Sequence, residues 1–277
     1  MPAARATYCR LPLCCDIVAF KRDIAQFADP EWRSHFNTEY HDGSWTGIAL
    51  QAGEDAAQAL YPDPAAKGRF RDTPQFALCP SIREFVAQLS CPVHSVRLLR
   101  LRAGGTIREH RDDDLGFDQG EVRLHVPIET NPQVEFYLDG ERIPMAEGEC
   151  WYLDFSLPHR VQNRGDTDRI HLVIDCSLNE WLRALFPTPE QLTEQRRDPR
   201  IIMANAGSSA RQLELFRDRV LRDAALQKGL RNHQTLDDFV LSVVAAGVRH
   251  GFDFTPDDVH ASISASRRAW IERWIVK

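Results

Sequence analysis

The chain is short of several features that would assign it at once. It has no apolar run long enough to cross a bilayer, so a membrane-spanning protein is not expected. Its start, "MPAARATYCRLPLCCDIVAF", carries basic residues but no continuous apolar stretch leading to a cleavage site. That reads as no secretory signal and a cytoplasmic location. Positive charge is in deficit: 34 Lys and Arg against 40 Asp and Glu give a formal net charge of -6. Such a balance offers no general attraction to nucleic acid or an anionic membrane, and neither is expected as a partner. CxxC pairs are missing too. The seven cysteines (Cys9, Cys14, Cys15, Cys79, Cys91, Cys150 and Cys176) are odd in number and scattered. This argues against a zinc ribbon or a secreted disulfide scaffold, and for reduced thiols that are mostly buried. There is no internal repeat and no low-complexity tract.

What is present is a globular composition. With 277 residues, 43% hydrophobic and 27% charged, the chain can bury one large core or two smaller ones. Up to about residue 178, short apolar runs are broken by Gly, Pro, Asn and Asp: "WTGIALQA", "SVRLLRLRAGG", "EVRLHVPIETN", "VEFYLDGERIPM", "ECWYLDF" and "RIHLVIDC". That rhythm predicts an all-β sandwich or barrel. Asp139-Gly140 marks a hairpin and Gly148 a second turn. Helices are expected around "DIAQFADPEWRSHF" and at "PSIREFVAQL", where Pro80 and Ser81 suit a helix start.

Beyond residue 178 the pattern becomes helical. "LNEWLRALF" leads into a polar, proline-bearing connector, "PTPEQLTEQRRDPR". Leu213, Phe216, Val220 and Leu221 then share one helix face. Thr235 caps the next helix, which stops at Gly251, and Thr255-Pro256 opens a last one. We therefore expect a β-rich domain over 1–186, a linker over 187–208 and a small all-α domain over 209–277.

The residues that carry chemistry begin at "REHRDDD". His110 and Asp112, two apart on an extended segment, point to one side while Arg111 faces away. One such HxD arises by chance in roughly one chain in three of this make-up, so it needs a distant third ligand. His159, in "DFSLPHRV" after a strand-like run, supplies one, and two His with one carboxylate leave three faces of an octahedral iron open. Ten residues on, Arg169 opens "RIHLVID". An inward-facing arginine is costly to bury unless an anion meets its fork, and a dicarboxylate would do so. In "VRLHVPI", Arg123 and His125 share one face while Val122, Leu124 and Val126 form the other. That pattern suits a strand with one side in a core and the other lining a polar cavity.

In order, "HRD", "VRLHVPIET", "LDFSLPHRV" and "DRIHLVIDC" resemble the aspartyl/asparaginyl/prolyl hydroxylase family of iron(II)- and 2-oxoglutarate-dependent dioxygenases, above all its bacterial members that act on free proline. The similarity runs from about Tyr40 to Cys176. It implies a mainly β fold: a double-stranded β-helix (jelly roll, cupin-like) core with flanking helices. It implies His110, Asp112 and His159 as iron ligands, Arg169 as the clamp on the distal carboxylate of 2-oxoglutarate, and His125 near its other end. Arg97, Arg123 and Trp45 match positions that contact the amino-acid substrate. The cofactors implied are Fe(II), 2-oxoglutarate and O2. Asp113-Asp114 and the acidic loop to Glu121 depart from the family pattern and bear on the substrate.

The C-terminal stretch, above all "GFDFTPDDV", is similar to leader peptides of the nitrogen-fixation/nitrile-hydratase type. That implies a peptide partner; the plainer readings are a packing cap or a homodimer contact through the same helices. Trp270 and Trp274, at i and i+4, would be anchors in the first case and core in the second. Two substrates stay open: a peptidyl Asp or Asn in a ribosomal natural-product precursor, and a free amino acid such as proline. The rival readings are a non-catalytic cupin-like binding module and a non-oxidative metal-dependent barrel enzyme.

Overall fold

Strands buried on both faces, one apolar and one polar, set the architecture of the first part of the chain. The structure is a computed structural model that describes residues 6–53, 60, 70–112, 115–205, 208–231 and 235–264. It holds two compact units, Met1–Asp139 with Ile143–Asp198, and Gly140–Arg142 with Pro199–Lys277.

The strands are β1 (Tyr8–Leu11), β2 (Arg33–Ser34), β3 (Trp45–Gly53), β4 (Phe70–Asp72), β5 (Val93–Leu101), β6 (Thr106–His110), β7 (Glu121–Glu129), β8 (Val134–Leu138), β9 (Glu141–Arg142), β10 (Cys150–Leu153), β11 (His159–Asn163) and β12 (Arg169–Ser177). A major antiparallel sheet runs β1-β10-β7-β12-β5-β3-β2, with β4 beside β3, and a minor one runs β6-β11-β8-β9. From β5 onward the chain passes back and forth between the two sheets, which makes this a double-stranded β-helix.

Period-two alternation assigns each side chain its face. In β12, Ile170, Leu172, Ile174 and Cys176 enter the apolar core with Val122, Leu124 and Val126 of β7 and Val96 and Leu98 of β5. The alternate residues Arg169, His171, Val173 and Asp175 take the other face and are buried as well. Register aligns Ala49, Arg97, Val173, His125 and Trp151 in one row across β3, β5, β12, β7 and β10. The apolar side is covered by α1 (Ile17–Ile24), α2 (Pro74–Ala77) and α3 (Pro80–Ala87), through Phe20, Phe76, Ile82 and Phe85. Asp139 and Gly140 both take positive φ in the β8–β9 turn, as that hairpin requires, and so does Gly148 in its own turn.

Two helix expectations change. The segment "DIAQFADPEWRSHF" is not a helix. The helix lies earlier, at α1, capped by the Asp16 side chain, and is followed by a single tight turn at Asp29–Glu31 and then β2. Pro30 lacks the N–H that a continuing helix would use. The connector "PTPEQLTEQRRDPR" follows α4 (Glu180–Ala184) and contains α5 (Pro189–Arg196), started by a Thr188/Gln191 capping box, and the start of α6 (Pro199–Asn205). α5 stays with the β unit, where Gln195 exchanges hydrogen bonds with the backbone of Arg10.

The second unit contains α6, α7 (Ser209–Arg222), α8 (Ala224–Gly229), α9 (Leu236–Arg249) and a helical run at residues 256–264. Thr235 and Thr255 cap as expected, accepting from Asp238 N and Asp258 N. Phe216, Val240, Val243, Ala246, Phe254 and Val259 form its core. Leu221, expected on the buried face of α7, is 64% exposed, because α7 ends one residue later and the chain turns into α8. Trp270 and Trp274 lie outside the described residues.

Asp23 of α1 caps a different helix. Its Oδ2 accepts from Ser81 N at 2.8 Å and Ile82 N at 2.9 Å, at the start of α3. Asp23→Ala is expected to destabilise the β unit by about 1 to 2 kcal/mol, read as a lower urea midpoint at unchanged slope.

Candidate metal centre

The two histidines meet because of strand register. His110 ends β6, His159 opens β11, and they are direct cross-strand partners with ring centroids 4.2 Å apart. Each Nδ1 donates to the carbonyl two residues before it, His110 to Arg108 O at 2.8 Å and His159 to Leu157 O at 3.0 Å. Both Nε2 lone pairs are thereby left for a common ligand. Asp112 follows β6 and is tied down by its own N–H, which donates to Phe155 O at 2.9 Å. Its Oδ1 lies 4.0 Å from His110 Nε2. One donor atom from each of His110, Asp112 and His159 lies within 4.8 Å of the others, a spacing that fits a single metal ion. Burial, and then the His110 imidazole, pull His159 down to about 4, so it is neutral at physiological pH. Arg111 faces away, donating to Ser156 O. Asp113 and Asp114 lie outside the described residues.

Three arginines line the facing sheet, Arg97 and Arg169 buried and Arg123 partly so. Arg97 and Arg123 converge on Asp175. Arg97 Nη2 donates to Oδ2 at 2.5 Å, and Arg123 spans both oxygens, at 2.6 Å from Nε and 3.1 Å from Nη2. Arg123 Nη1 also donates to Asp112 Oδ2. Burial alone would raise the Asp175 carboxyl, but Arg123 and Arg97 outweigh it and hold the group ionised, below its ordinary value. Burial pulls Arg97 down to about 10 against the attraction of Asp175.

Arg169 is different. It is 2% exposed, its Nη2 donates at 2.8 Å to His171 Nδ1, and among the described residues no carboxylate pairs with it. Burial, uncompensated, pulls it to about 9. Its Nε has no hydrogen-bond partner among the described residues, and neither do His125 Nε2, Arg97 Nε and Trp45 Nε1. Buried polar atoms are seldom left this way, and four of them around one site fit a polar, anionic ligand. His125 and His171 are held neutral by burial and then by Arg169.

The structure thus brings all eight expected residues into one region between the two sheets. Trp45 stacks flat on His35 at 3.4 Å and lies 6.1 Å from the His110 ring. Phe155 stacks on His125 at 4.9 Å and meets His159 edge-on. Tyr40 stacks on His110 at 4.5 Å. Sequence reasoning missed His35, Tyr40, Phe155, His171 and Asp175. For His171 and Asp175 the signal was available, since both follow Arg169 at even spacing on one strand. His35 and Tyr40 precede β3 outside any periodic run and gave none.

Burial of neutral histidines makes the fold acid-sensitive. His159 is near 4 when folded against 6.5 for the ordinary group, and His35 is near 2, so between these limits the unfolded chain binds protons that the folded one refuses. The stability they contribute is complete above pH 6.5 and is lost as pH falls, toward 4 for His159 and on toward 2 for His35. Metal-free protein should show a falling denaturation midpoint over that range. His159→Gln should flatten the curve; an unchanged slope would contradict this account.

A family model described as Aspartyl/Asparaginyl beta-hydroxylase matches residues 16–178, more than half of the 277. The curated L-proline cis-4-hydroxylase of Rhizobium meliloti (strain 1021) is 30% identical over 178 residues, 60% of this chain. The match spans 61% of that relative's own length. A solved Pseudomonas putida prolyl-4-hydroxylase is 16% identical, with a TM-score of 0.36 over 62% of this chain and 93% of its own. An oxidoreductase of the 2OG-Fe(II) oxygenase family from Burkholderia pseudomallei is 17% identical, with a TM-score of 0.38 over 63% and 88%. The matched span contains every residue of the site from Trp45 to Asp175, and the chain belongs to the aspartyl/asparaginyl beta-hydroxylase family.

Proposed function

We propose that this protein is an iron(II)- and 2-oxoglutarate-dependent dioxygenase that hydroxylates an unactivated C–H of an amino acid, with a free amino acid such as proline as the leading substrate. The observation that carries the reading is the His110, Asp112 and His159 cluster, two imidazoles and a carboxylate whose donor atoms lie within 4.8 Å of one another. That donor set suits ferrous iron with positions left open. Arg169 supports the cosubstrate, because a buried guanidinium with no carboxylate beside it among the described residues calls for an anionic group, and a distal carboxylate fits its fork. His125, with an unpartnered Nε2, lies toward the other end of the same ligand. A non-catalytic binding module or a non-oxidative metal enzyme has no use for that uncompensated arginine.

Iron would be held by His110, Asp112 and His159, and 2-oxoglutarate by Arg169 and His125. When bound with O2, they supply the oxidising chemistry, with succinate and carbon dioxide as by-products. The chain's own work is positioning and exclusion of water. Arg97 and Arg123 retain free N–H groups beyond those given to Asp175 and Asp112, and these hold a substrate carboxylate. That fixes which C–H faces the metal. Trp45, flattened against His35, forms an apolar wall beside the metal site. Phe155, wedged between His125 and His159, keeps water from the two imidazoles. Free proline leads over peptidyl Asp or Asn because the curated relative is named as an L-proline hydroxylase.

Anaerobic protein loaded with Fe(II) and 2-oxoglutarate is expected to show a weak visible charge-transfer band that His159→Ala abolishes. No band in the wild type, with metal confirmed bound, would count against the oxygenase. Arg169→Ala is expected to raise the apparent KM for 2-oxoglutarate by roughly 30-fold or more, the equivalent of about 2 kcal/mol for a buried charged contact. Screening free amino acids and peptides for succinate release and a product heavier by one oxygen identifies the substrate; release with peptides alone would reverse the order of substrates.

A further inference from the structure

Among the charged groups of the site, Asp175 is the one that neither metal nor cosubstrate explains. It is 3% exposed and lies in the middle of β12, where a carboxylate is costly to bury without partners. Its register shows what it is placed to do. Asp175 is directly opposite Arg123 on β7 and Ser95 on β5, and Arg97 is the next inward-facing residue of β5. One carboxylate therefore lies between two strands that each aim a guanidinium inward.

We propose that Asp175 is the positioning residue of this centre: by dividing its two oxygens between Arg97 and Arg123 it fixes both substrate-facing guanidiniums and, through Arg123, the orientation of the Asp112 carboxylate. The part that concerns substrate rests on the reading of Arg97 and Arg123 given above; the part that concerns Asp112 does not. The contacts form one chain, from the Leu60 carbonyl 3.0 Å from Arg97 Nη1, through Arg97, Asp175 and Arg123, to Asp112 Oδ2. Each link leaves a specific remainder. Arg123 commits Nε and one Nη2 proton to Asp175 and one Nη1 proton to Asp112, and keeps one N–H on each terminal nitrogen. Arg97 commits one proton from each terminal nitrogen, and its Nε, buried and unpartnered, is left over. Without the carboxylate, two like charges would be buried side by side with Asp112 as their remaining partner in this chain. Arg123 would then be free to turn fully onto Asp112 or to leave it. Beyond these contacts, His94 of the same protein lies within electrostatic reach of Asp175 and acts in the same direction as the arginines.

The test measures Co(II), as a stable stand-in for Fe(II), binding to the full chain by titration of its visible absorption. Asp175→Asn is expected to weaken Co(II) binding by about 10-fold or more, as loss of a group that orients a metal ligand does. Arg123→Gln should act in the same direction, and Asp175→Glu, which keeps the charge but moves the fork, should give an intermediate loss. The KM for 2-oxoglutarate, which depends on Arg169, should stay within about two-fold of the wild type, whereas a merely structural role would lower Co(II) affinity, cosubstrate affinity and thermal midpoint together. The substrate arm uses the thermal shift given by L-proline with Co(II) and 2-oxoglutarate present; Asp175→Asn should abolish a shift that the wild type shows. Wild-type Co(II) affinity in Asp175→Asn overturns the proposal. So does wild-type behaviour of Asp175→Glu if the Asn variant does not fold. If Arg97→Gln and Arg123→Gln leave the L-proline shift intact, the substrate reading of the two arginines fails instead, and the Co(II) result still decides the link to Asp112.

Discussion

A charge buried without its counterion governs this structure. Arg169 opens β12 with its guanidinium inside the sandwich, and among the described residues no carboxylate answers it. Two other arginines reach the same inner face, but Asp175 partners both of them. The contrast divides the inner face of the major sheet. Where Asp175 stands, the chain satisfies its own arginines and leaves only their spare N–H groups for a ligand. Where Arg169 stands, a whole unit of charge is left without a carboxylate among the described residues.

The candidate triad of His110, Asp112 and His159 depends on the same sandwich from its other side. His110 and His159 sit at neighbouring ends of β6 and β11, paired across the ladder, with a register shift just after His159. Each ring is turned by its Nδ1 toward a carbonyl two residues back, so both Nε2 atoms face inward by construction. Asp112 lies past the end of β6, where no ladder holds it. Its backbone is pinned to Phe155 and its side chain to Arg123 of the opposite sheet. The Asp112 carboxylate is thus a point where the two sheets are electrically joined.

Part of this could be read along the chain. Alternation in "VRLHVPI" and "RIHLVIDC" separates a core face from a polar face in each strand, and the structure keeps both separations. The caps at Thr235 and Thr255 and the Asp139-Gly140 turn are local chemistry, and they form as local chemistry directs. The failures are equally physical. A helical pattern around "DIAQFADPEWRSHF" yields to Pro30 and to the demand of β2 for an edge strand. The polar connector before α6 hides a capping box that forms a helix where composition suggests a loop.

By itself, the sequence determined which residues share a face, where turns fall, and which residue types could ligate a metal or meet a carboxylate. These follow from backbone periodicity and side-chain chemistry, which need no knowledge of the fold. Only the tertiary structure decided that Asp175 stands between Arg97 and Arg123, that Arg123 reaches Asp112, and that Arg169 meets no carboxylate among the described residues. Those facts depend on which strands become neighbours and in what register, and pairing between distant segments is written in no local pattern. The flat stack of His35 on Trp45 and of Tyr40 on His110 belongs to the same class, because residues 35–44 take their course from the sheets they cross.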